Sequence, residues 1–385
     1  VGAEGCLSVP GVSFDIERST SVVVRAYDLE GRLMQYEAAN NLFCVCLQHE
    51  IDHLNGKTLF ESCDPVTRIE GHLKAEVVVE NGKVVDAKLT GGMYRGFESI
   101  LRGRHPRDAA QIVQRICGVC PTAHATAASI ALEKASGTAV PSNGRATRNL
   151  ILGANYLQSH ILHFYHLAGQ DFIQGPDTAP FMPRYAKPDL RLPPAINAVG
   201  VDQYVEALEV RAVCHEMVAL FGGRMPHVHG ILAGGAAEIP TKEKLVEYAA
   251  RFKKVRKFVE EKYLPVVYLV GSQYKDLGAF GQGYRNALCV GVFPLDDEGK
   301  EFVFKAGAYQ DGKDMPFDVK RVTEDVKFSW FADSTSGKPF TKGENVLEVD
   351  KKGAYSFVKA PLYNGKPMEV GPLARMWVNK KPISS

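Results

Sequence analysis

At 385 residues the chain exceeds one typical domain and can bury a core without disulfide or metal staples, so two units are the starting expectation. A composition 45% hydrophobic and 23% charged excludes a disordered or fibrous chain, and 46 basic against 44 acidic residues leave a net charge of +2, with no field to gather nucleic acid. No apolar run reaches the roughly 18 residues of a membrane span, and no basic segment followed by an apolar one opens the chain. The expectation is therefore no nucleic-acid partner, no direct membrane segment and no targeting signal. Cys6, Cys44, Cys46, Cys63, Cys117, Cys120, Cys214 and Cys289 are too sparse for a secreted disulfide scaffold and read as reduced thiols, some of them ligands. Val1 in place of Met suggests a reading frame that starts further upstream.

Residues 19–28 are rich in β-branched side chains, and Glu30-Gly31 turns them into a second run, Arg32 to Glu37, which predicts a hairpin. From Asn40 to Leu54 the apolar positions Leu42, Phe43, Cys46, Leu47, Ile51 and Leu54 recur at helical spacing, with Asn40 or Asn41 as cap and Gly56 as stop. The texture changes near Cys63. Leu73 to Glu80 alternates as a strand, Asn81-Gly82 signals a type I′ turn, and Lys83 to Leu89 returns. Helical patterns follow at about Asp108 to Ile116, Thr122 to Ala135, Asn143 to Phe172, Val201 to Phe221 and Thr241 to Tyr263. Beyond Tyr284, runs such as Glu301 to Ala306 and Glu324 to Trp330, broken by Gly and Pro turns, predict an irregular β-rich lobe. There is no internal repeat.

Two groups of residues carry chemistry. His49 and His53 stand four apart on the predicted helix, so both project from one face and can hold one metal with Glu50 beside an open coordination position. The pattern alone also fits a zinc protease, or a surface helix whose histidines bind nothing. With Glu4-Gly5-Cys6-Leu7-Ser8 upstream and Gln48-His49-Glu50-Ile51-Asp52-His53-Leu54-Asn55-Gly56 after it, residues 1–62 resemble the second half of a peptide deformylase. That resemblance implies iron or zinc on Cys6, His49 and His53, Glu50 as general base, and the Leu7 amide in the oxyanion site during formyl hydrolysis.

The second group is Arg115-Ile116-Cys117-Gly118-Val119-Cys120-Pro121-Thr122-Ala123-His124, which brings two thiols together across a glycine turn. By spacing it is a chelate for a soft metal, a redox pair or half of a zinc knuckle. Asp64 to His72 (Asp-Pro-Val-Thr-Arg-Ile-Glu-Gly-His), Tyr94 to Glu98 and Arg104 to Asp108 precede it in order. Gly223-Arg224-Met225-Pro226-His227-Val228-His229-Gly230 with Gly234-Gly235, Lys351 to Ser356 and Met368 to Arg375 follow. Together they resemble the large subunit of nickel-iron hydrogenases across residues 63–385.

This resemblance implies an α+β fold: a mainly helical bundle core of the hydrogenase large-subunit type with peripheral β hairpins, preceded by a small β-hairpin-plus-helix deformylase fragment. It implies a nickel-iron centre whose iron bears diatomic ligands, with Cys117 as a terminal nickel ligand and Cys120 bridging nickel to iron. His124 would donate a hydrogen bond beside the centre, Glu70 would be the first proton relay, and Glu98 would bind magnesium. As bare residues, His124 also reads as a satisfied core histidine, Glu70 as a surface carboxylate and Glu98 as a helix-start carboxylate facing the dipole. His227 and His229 would face an iron-sulfur small subunit, since no cysteine array here could hold clusters. The chain would then be cytoplasmic, or membrane-associated or periplasmic through that partner.

A second Cys-x-x-Cys followed by His, and the deformylase's upstream Gly-rich segment, find no match in this sequence, and His105 replaces the family's Asp before Pro106. Both units are therefore expected to be truncated and the purified chain to contain little nickel. Three functions follow: reversible oxidation of dihydrogen, removal of formyl groups from formyl-methionyl peptides, or an inactive fusion of two gene fragments.

Overall fold

The computed structural model describes residues 2–6, 9–16, 18–27, 30–54, 73–176, 181, 189–280, 282–339, 342 and 344–380, with backbone alone for 2–6, 9–15 and 53–54. Helices and sheets are mixed, an α+β arrangement, and the chain divides into two compact units, Val1–Thr67 and Arg68–Ser385.

In the first unit β1 (Gly2–Cys6) pairs antiparallel with β2 (Val9–Ile16), and the register shifts between Gly5 and Cys6. β3 (Ser21–Tyr27) and β4 (Leu33–Ala39) form the expected hairpin, from Ser21 opposite Ala39 to Tyr27 opposite Leu33. α1 (Leu42–Leu54) starts where Asn41 Oδ1 accepts the Cys44 N–H at 2.9 Å, an N-cap that satisfies one orphan donor. Gln48 fastens the helix to the segment leading into β3: its Oε1 accepts the Ser19 N–H and its Nε2 donates to the Ser19 carbonyl, both at 3.0 Å. Ile16, Ala38 and Cys44 are the buried apolar side chains among the described residues of this unit.

The second unit opens with β5 (Leu73–Glu80) and β6 (Lys83–Gly91), joined through Asn81 at φ 50° and Gly82 at φ 75°, the two positive values a type I′ turn demands. Short α2 (Phe97–Leu101) and α3 (Ala109–Ile112) follow, α3 running into a 3-10 turn, Val113–Ile116. The core is built by α4 (Pro121–Ser136), α5 (Ser142–Ile161), α6 (Pro194–Gly222), α7 (Lys242–Phe258) and α8 (Leu264–Gln273). On α6 the buried positions Ala207, Val210, Cys214, Met217, Val218 and Phe221 recur at three- and four-residue steps. They meet Ile151, Ala154 and Ile161 of α5 and Tyr248, Val255 and Phe258 of α7. Each Val- or Leu-sized side chain so buried contributes about 1.5–3 kcal/mol.

Three helical expectations change. The run predicted from Val201 begins at Pro194, because proline is well suited to the first helical position, where its missing N–H costs nothing. The run predicted over Asn143 to Phe172 is α-helical only to Ile161; Leu162–Ala168 is a π segment and Gly169–Asp171 a 3-10 turn. Beyond α7 a second π segment, Val259–Tyr263, leads into α8, so the helical path does not stop at Tyr263; Pro265 sits in the first turn of α8. The two π segments meet through Phe164 and Tyr263, whose ring centroids are 5.5 Å apart.

Of two short paired strands, β7 (Ile231–Leu232) lies beside α4 and β8 (Gly235–Ala236) beside α5, the latter at a close backbone approach. A Cβ added at Gly144 would lie 2.9 Å from the Gly234 carbonyl oxygen, and one at Gly235, whose φ is 118°, would lie 2.7 Å from Gly144 Cα. Only glycine fits there.

The remainder is a set of small antiparallel sheets. β9 (Ala287–Cys289) and β13 (Lys313–Met315) flank β12 (Gly307–Gln310), while β10 (Val292–Pro294) pairs with β11 (Phe302–Phe304). β15 (Ala360–Tyr363) lies between β14 (Val322–Asp325) and β16 (Lys366–Pro367), and α9 (Pro372–Val378) packs on β9. The strand predicted over Glu324 to Trp330 ends at Asp325, whose carboxylate accepts the Lys327 N–H at 2.9 Å and turns the chain out of the sheet.

One ion pair is enclosed by this core. Arg148 on α5 meets Glu133 on α4 with two bonds, 2.6 and 3.2 Å, at side-chain exposures of 4% and 8%, and Glu133 Oε1 also accepts the Gly234 N–H at 2.8 Å. Removing one partner strands the other charge in a dry site. Arg148→Met is expected to lower unfolding free energy by about 3 kcal/mol or more, whereas Arg256→Met, at the exposed pair with Glu260, should change it by less than about 0.5 kcal/mol. Urea denaturation of the two variants measures the contrast.

Candidate metal centre

The Cys-x-x-Cys segment is a four-residue loop between the 3-10 turn Val113–Ile116 and α4. Cys117 leaves the turn in an extended conformation, φ −145° and ψ 131°. Cys120 is the N-cap of α4, and Pro121 then takes the first helical position. The loop folds back on itself: the Cys120 N–H donates to Cys117 Sγ at 3.3 Å. Both cysteines are half-buried, and neither is in a disulfide.

The loop is held from two directions. Before it, the Arg95 guanidinium donates to the Arg115 carbonyl at 2.9 Å and to the Ile116 carbonyl, closing the last turn ahead of Cys117. Behind it, Asn155 Nδ2 and Gln158 Nε2 both donate to the Val119 carbonyl, each at 2.9 Å. Asn155 and Gln158 are 1% and 0% exposed, so these bonds are made without competing water. Their amides are oriented from the far side as well: Asn155 Oδ1 accepts from the Thr122 hydroxyl and Gln158 Oε1 accepts from Arg211.

Sequence reasoning did not single out Arg95, Asn155 or Gln158 as site residues. The signal was present for the last two, a polar pair three apart on the face that also carries Ile151 and Ile161, where only satisfied polar groups persist.

Around this loop the expected residues are distributed unevenly. His124 is half-buried in the first turn of α4, and burial, reinforced by the Arg95 charge, holds its pKa below the ordinary histidine value. The imidazole is thereby kept neutral, a state with one donor and one acceptor nitrogen. Glu98 is exposed in the first turn of α2 and lines a cleft of about 680 Å³ that also takes in Arg95, Ile116, Glu324 and Lys359. Lys359 is already paired there with Glu324 at 2.8 Å. His227 is half-buried with φ 63° and His229 is exposed; burial first, then Arg115 and Arg224, lower the His227 pKa. Glu70 lies outside the described residues, as does Leu7.

In the first unit, His49 is half-buried and Glu50 exposed on α1, while Cys6 ends β1 and His53 belongs to α1 without a described side chain. Among the described residues no three His, Cys, Asp or Glu side chains converge to hold a metal. The pair Cys117 and Cys120 thus fits one edge of a soft-metal site by its donor chemistry, and further ligands would come from outside the described residues.

Known proteins match this arrangement. A family model described as nickel-dependent hydrogenase matches residues 95–175 and 171–383. The chain is 60% identical over 332 residues to the periplasmic NiFeSe hydrogenase large subunit of Desulfomicrobium baculatum, an alignment covering 84% of this chain and 65% of that protein. The chain belongs to the nickel-dependent hydrogenase family.

The same kinship extends to the hydrogenase-2 large chain of Escherichia coli K12, 33% identical over 82% of this chain and 67% of that protein. The solved as-isolated oxidized Ni-Fe-Se hydrogenase of D. vulgaris Hildenborough superposes with a TM-score of 0.80 at 72% identity, covering 82% of this chain and 66% of that one. The chain spans just under two thirds of the Desulfomicrobium protein's length. Residues 62–90 match a model described as HoxL-like, and residues 1–68 match one described as polypeptide deformylase. No described helix of this hydrogenase-family chain is long and apolar enough to cross a membrane.

Two outcomes test the described geometry. Cys214 is fully buried on α6, and burial pushes its thiol up to about 12, whereas Cys46 on α1 is exposed. Native alkylation at pH 8 followed by peptide mass spectrometry should label Cys46 and spare Cys214. His166 and His215 are both held below the ordinary value of 6.5 by burial, with Arg211 adding to the effect. The unfolded chain therefore binds more protons, so their contribution to stability is present above pH 6.5 and is lost as pH falls below it. The urea midpoint should drop between pH 7.5 and 5.5; a flat or rising midpoint would contradict the burial of these rings.

Proposed function

We propose that residues 63–385 are the thiolate-bearing portion of a hydrogenase large subunit that catalyses reversible oxidation of dihydrogen and passes electrons to an iron-sulfur small subunit. The observation that carries this reading is the Cys117–Cys120 loop, in which two soft donors are folded onto one another by the bond from the Cys120 N–H to Cys117 Sγ. In this reading Cys117 would be a terminal nickel ligand and Cys120 a bridge to an iron bearing diatomic ligands. When bound, that centre supplies heterolytic cleavage of dihydrogen.

The remaining roles belong to the chain. His124, held neutral, would present an N–H toward the bridging sulfur or an iron ligand, and Glu70 would take the proton away from the loop. Glu98 would hold magnesium in its cleft, using a carboxylate left open to ligands. His227 and His229 would lie toward the small subunit. A periplasmic location, as named for the Desulfomicrobium relative, is the one we favour.

A finer architecture belongs to the same proposal: a helical core of the hydrogenase large-subunit type in residues 63–385, joined to a piece of a deformylase in residues 1–62. For that piece the match over residues 1–68 and the adjacent His49 and Glu50 on α1 support a second reading. Cys6, His49 and His53 would bind iron or zinc, with Glu50 as base and the Leu7 amide as oxyanion donor in formyl hydrolysis.

Nickel titrated into the reduced full chain is expected to produce a sulfur-to-nickel absorption band, and Cys117→Ser or Cys120→Ser to weaken binding by about tenfold or more. Unchanged affinity in both variants would remove the thiol pair from the site. With an iron-sulfur small subunit supplied, dihydrogen-dependent reduction of a viologen dye scores the oxidoreductase. Formate release from a formyl-methionyl peptide, abolished by Glu50→Gln, scores the alternative.

A further inference from the structure

The Val119 carbonyl and the Cys120 N–H belong to one peptide group. On its oxygen side that group accepts from Asn155 Nδ2 and Gln158 Nε2, each at 2.9 Å, and on its nitrogen side it donates to Cys117 Sγ at 3.3 Å. Behind Gln158, Arg211 Nε and Nη2 both reach its Oε1 at 3.4 Å. Arginine only donates, so the Gln158 oxygen faces it and the Gln158 nitrogen must face Val119. The Thr122 hydroxyl, donating to Asn155 Oδ1, fixes the second amide in the same sense.

We infer that Arg211, Gln158 and Asn155 form a hydrogen-bond relay through the 119–120 peptide group that sets how strongly the Cys120 N–H is donated to the Cys117 sulfur. The direction of polarisation is the same at every link. The Arg211 cation draws electron density from the Gln158 oxygen and sharpens its N–H. Two N–H groups draw density from the Val119 oxygen, and the shared peptide resonance makes the Cys120 N–H more acidic. A stronger N–H···S bond lowers the donor level of the sulfur. Hydrogen bonds to ligand sulfurs are a lever on the electronic character of the metals they hold.

All three residues are argued to act through the 119–120 peptide group, so they are positioning residues. The effect on a metal ligand rests on the proposed role of Cys117; the relay itself does not.

The test uses the full reduced chain labelled with nitrogen-15 at cysteine. Arg211→Met acts at the far end of the relay and is expected to move both the proton and nitrogen resonances of the Cys120 amide upfield, with faster hydrogen exchange there. Arg211→Lys, which keeps the cation, should restore part of the shift. Gln158→Leu should produce a larger shift in the same direction; if that variant fails to fold, the Arg211 pair decides. A Cys120 amide unmoved by Arg211→Met, or moved equally by Met and Lys, overturns the relay.

In the nickel-titrated chain the sulfur-to-nickel band should move to longer wavelength in Arg211→Met, because a weaker N–H···S bond raises the sulfur donor level. Absence of that band in the parent chain together with a responsive Cys120 amide would sink the metal assignment and uphold the relay. A band and an amide that both stay fixed would do the reverse.

Discussion

A single carbonyl oxygen, that of Val119, ties the helical scaffold to the thiol loop. Two carboxamides on one buried helix face converge on it, and the helix that carries them is itself packed between α4 and α6. A loop of four residues has little of its own to hold its shape. Here the position of two sulfurs is inherited in part from side chains 35 or more residues away along the chain, with Arg95 holding the turn on the other side. Dry surroundings make such bonds matter, since no water stands ready to replace them.

The burial of charge follows the same logic. Arg148 and Glu133 are enclosed together, and Glu133 Oε1 also accepts the backbone N–H of Gly234, so the pair also anchors the glycine-rich turn beside α5. Most other ion pairs of the described residues sit at the surface, where solvent screens them. The hairpin β5–β6 stands at the opposite extreme, exposed along nearly all its length. Its stability comes from the Asn81-Gly82 turn and strand pairing, with little burial of its own.

Much of this was legible in the sequence because periodicity is a direct image of burial. The stripe on α6, the cap at Asn41 and the turn at Asn81-Gly82 are local signals that the surroundings did not override. The family, too, was readable, because the Cys117–Cys120 motif is flanked by ordered runs over most of the chain. What the sequence concealed has a common cause. The helical pattern read as far as Tyr263 does not end there, because a π segment ahead of Pro265 carries the helical path on. Asp325 breaks a strand with a side-chain bond that no alternation reveals. Asn155 and Gln158 act through partners distant in sequence, and nothing local marks what they touch.

The contact between Gly144 and Gly235 reaches further than its own neighbourhood. Gly144 sits in the first turn of α5, and Asn155 and Gln158 lie 11 and 14 positions along the same helix, a span of roughly 16 to 21 Å at 1.5 Å per residue. A helix is stiff over that span, so the glycine contact at one extremity and the two carboxamides at the other belong to a single rigid element.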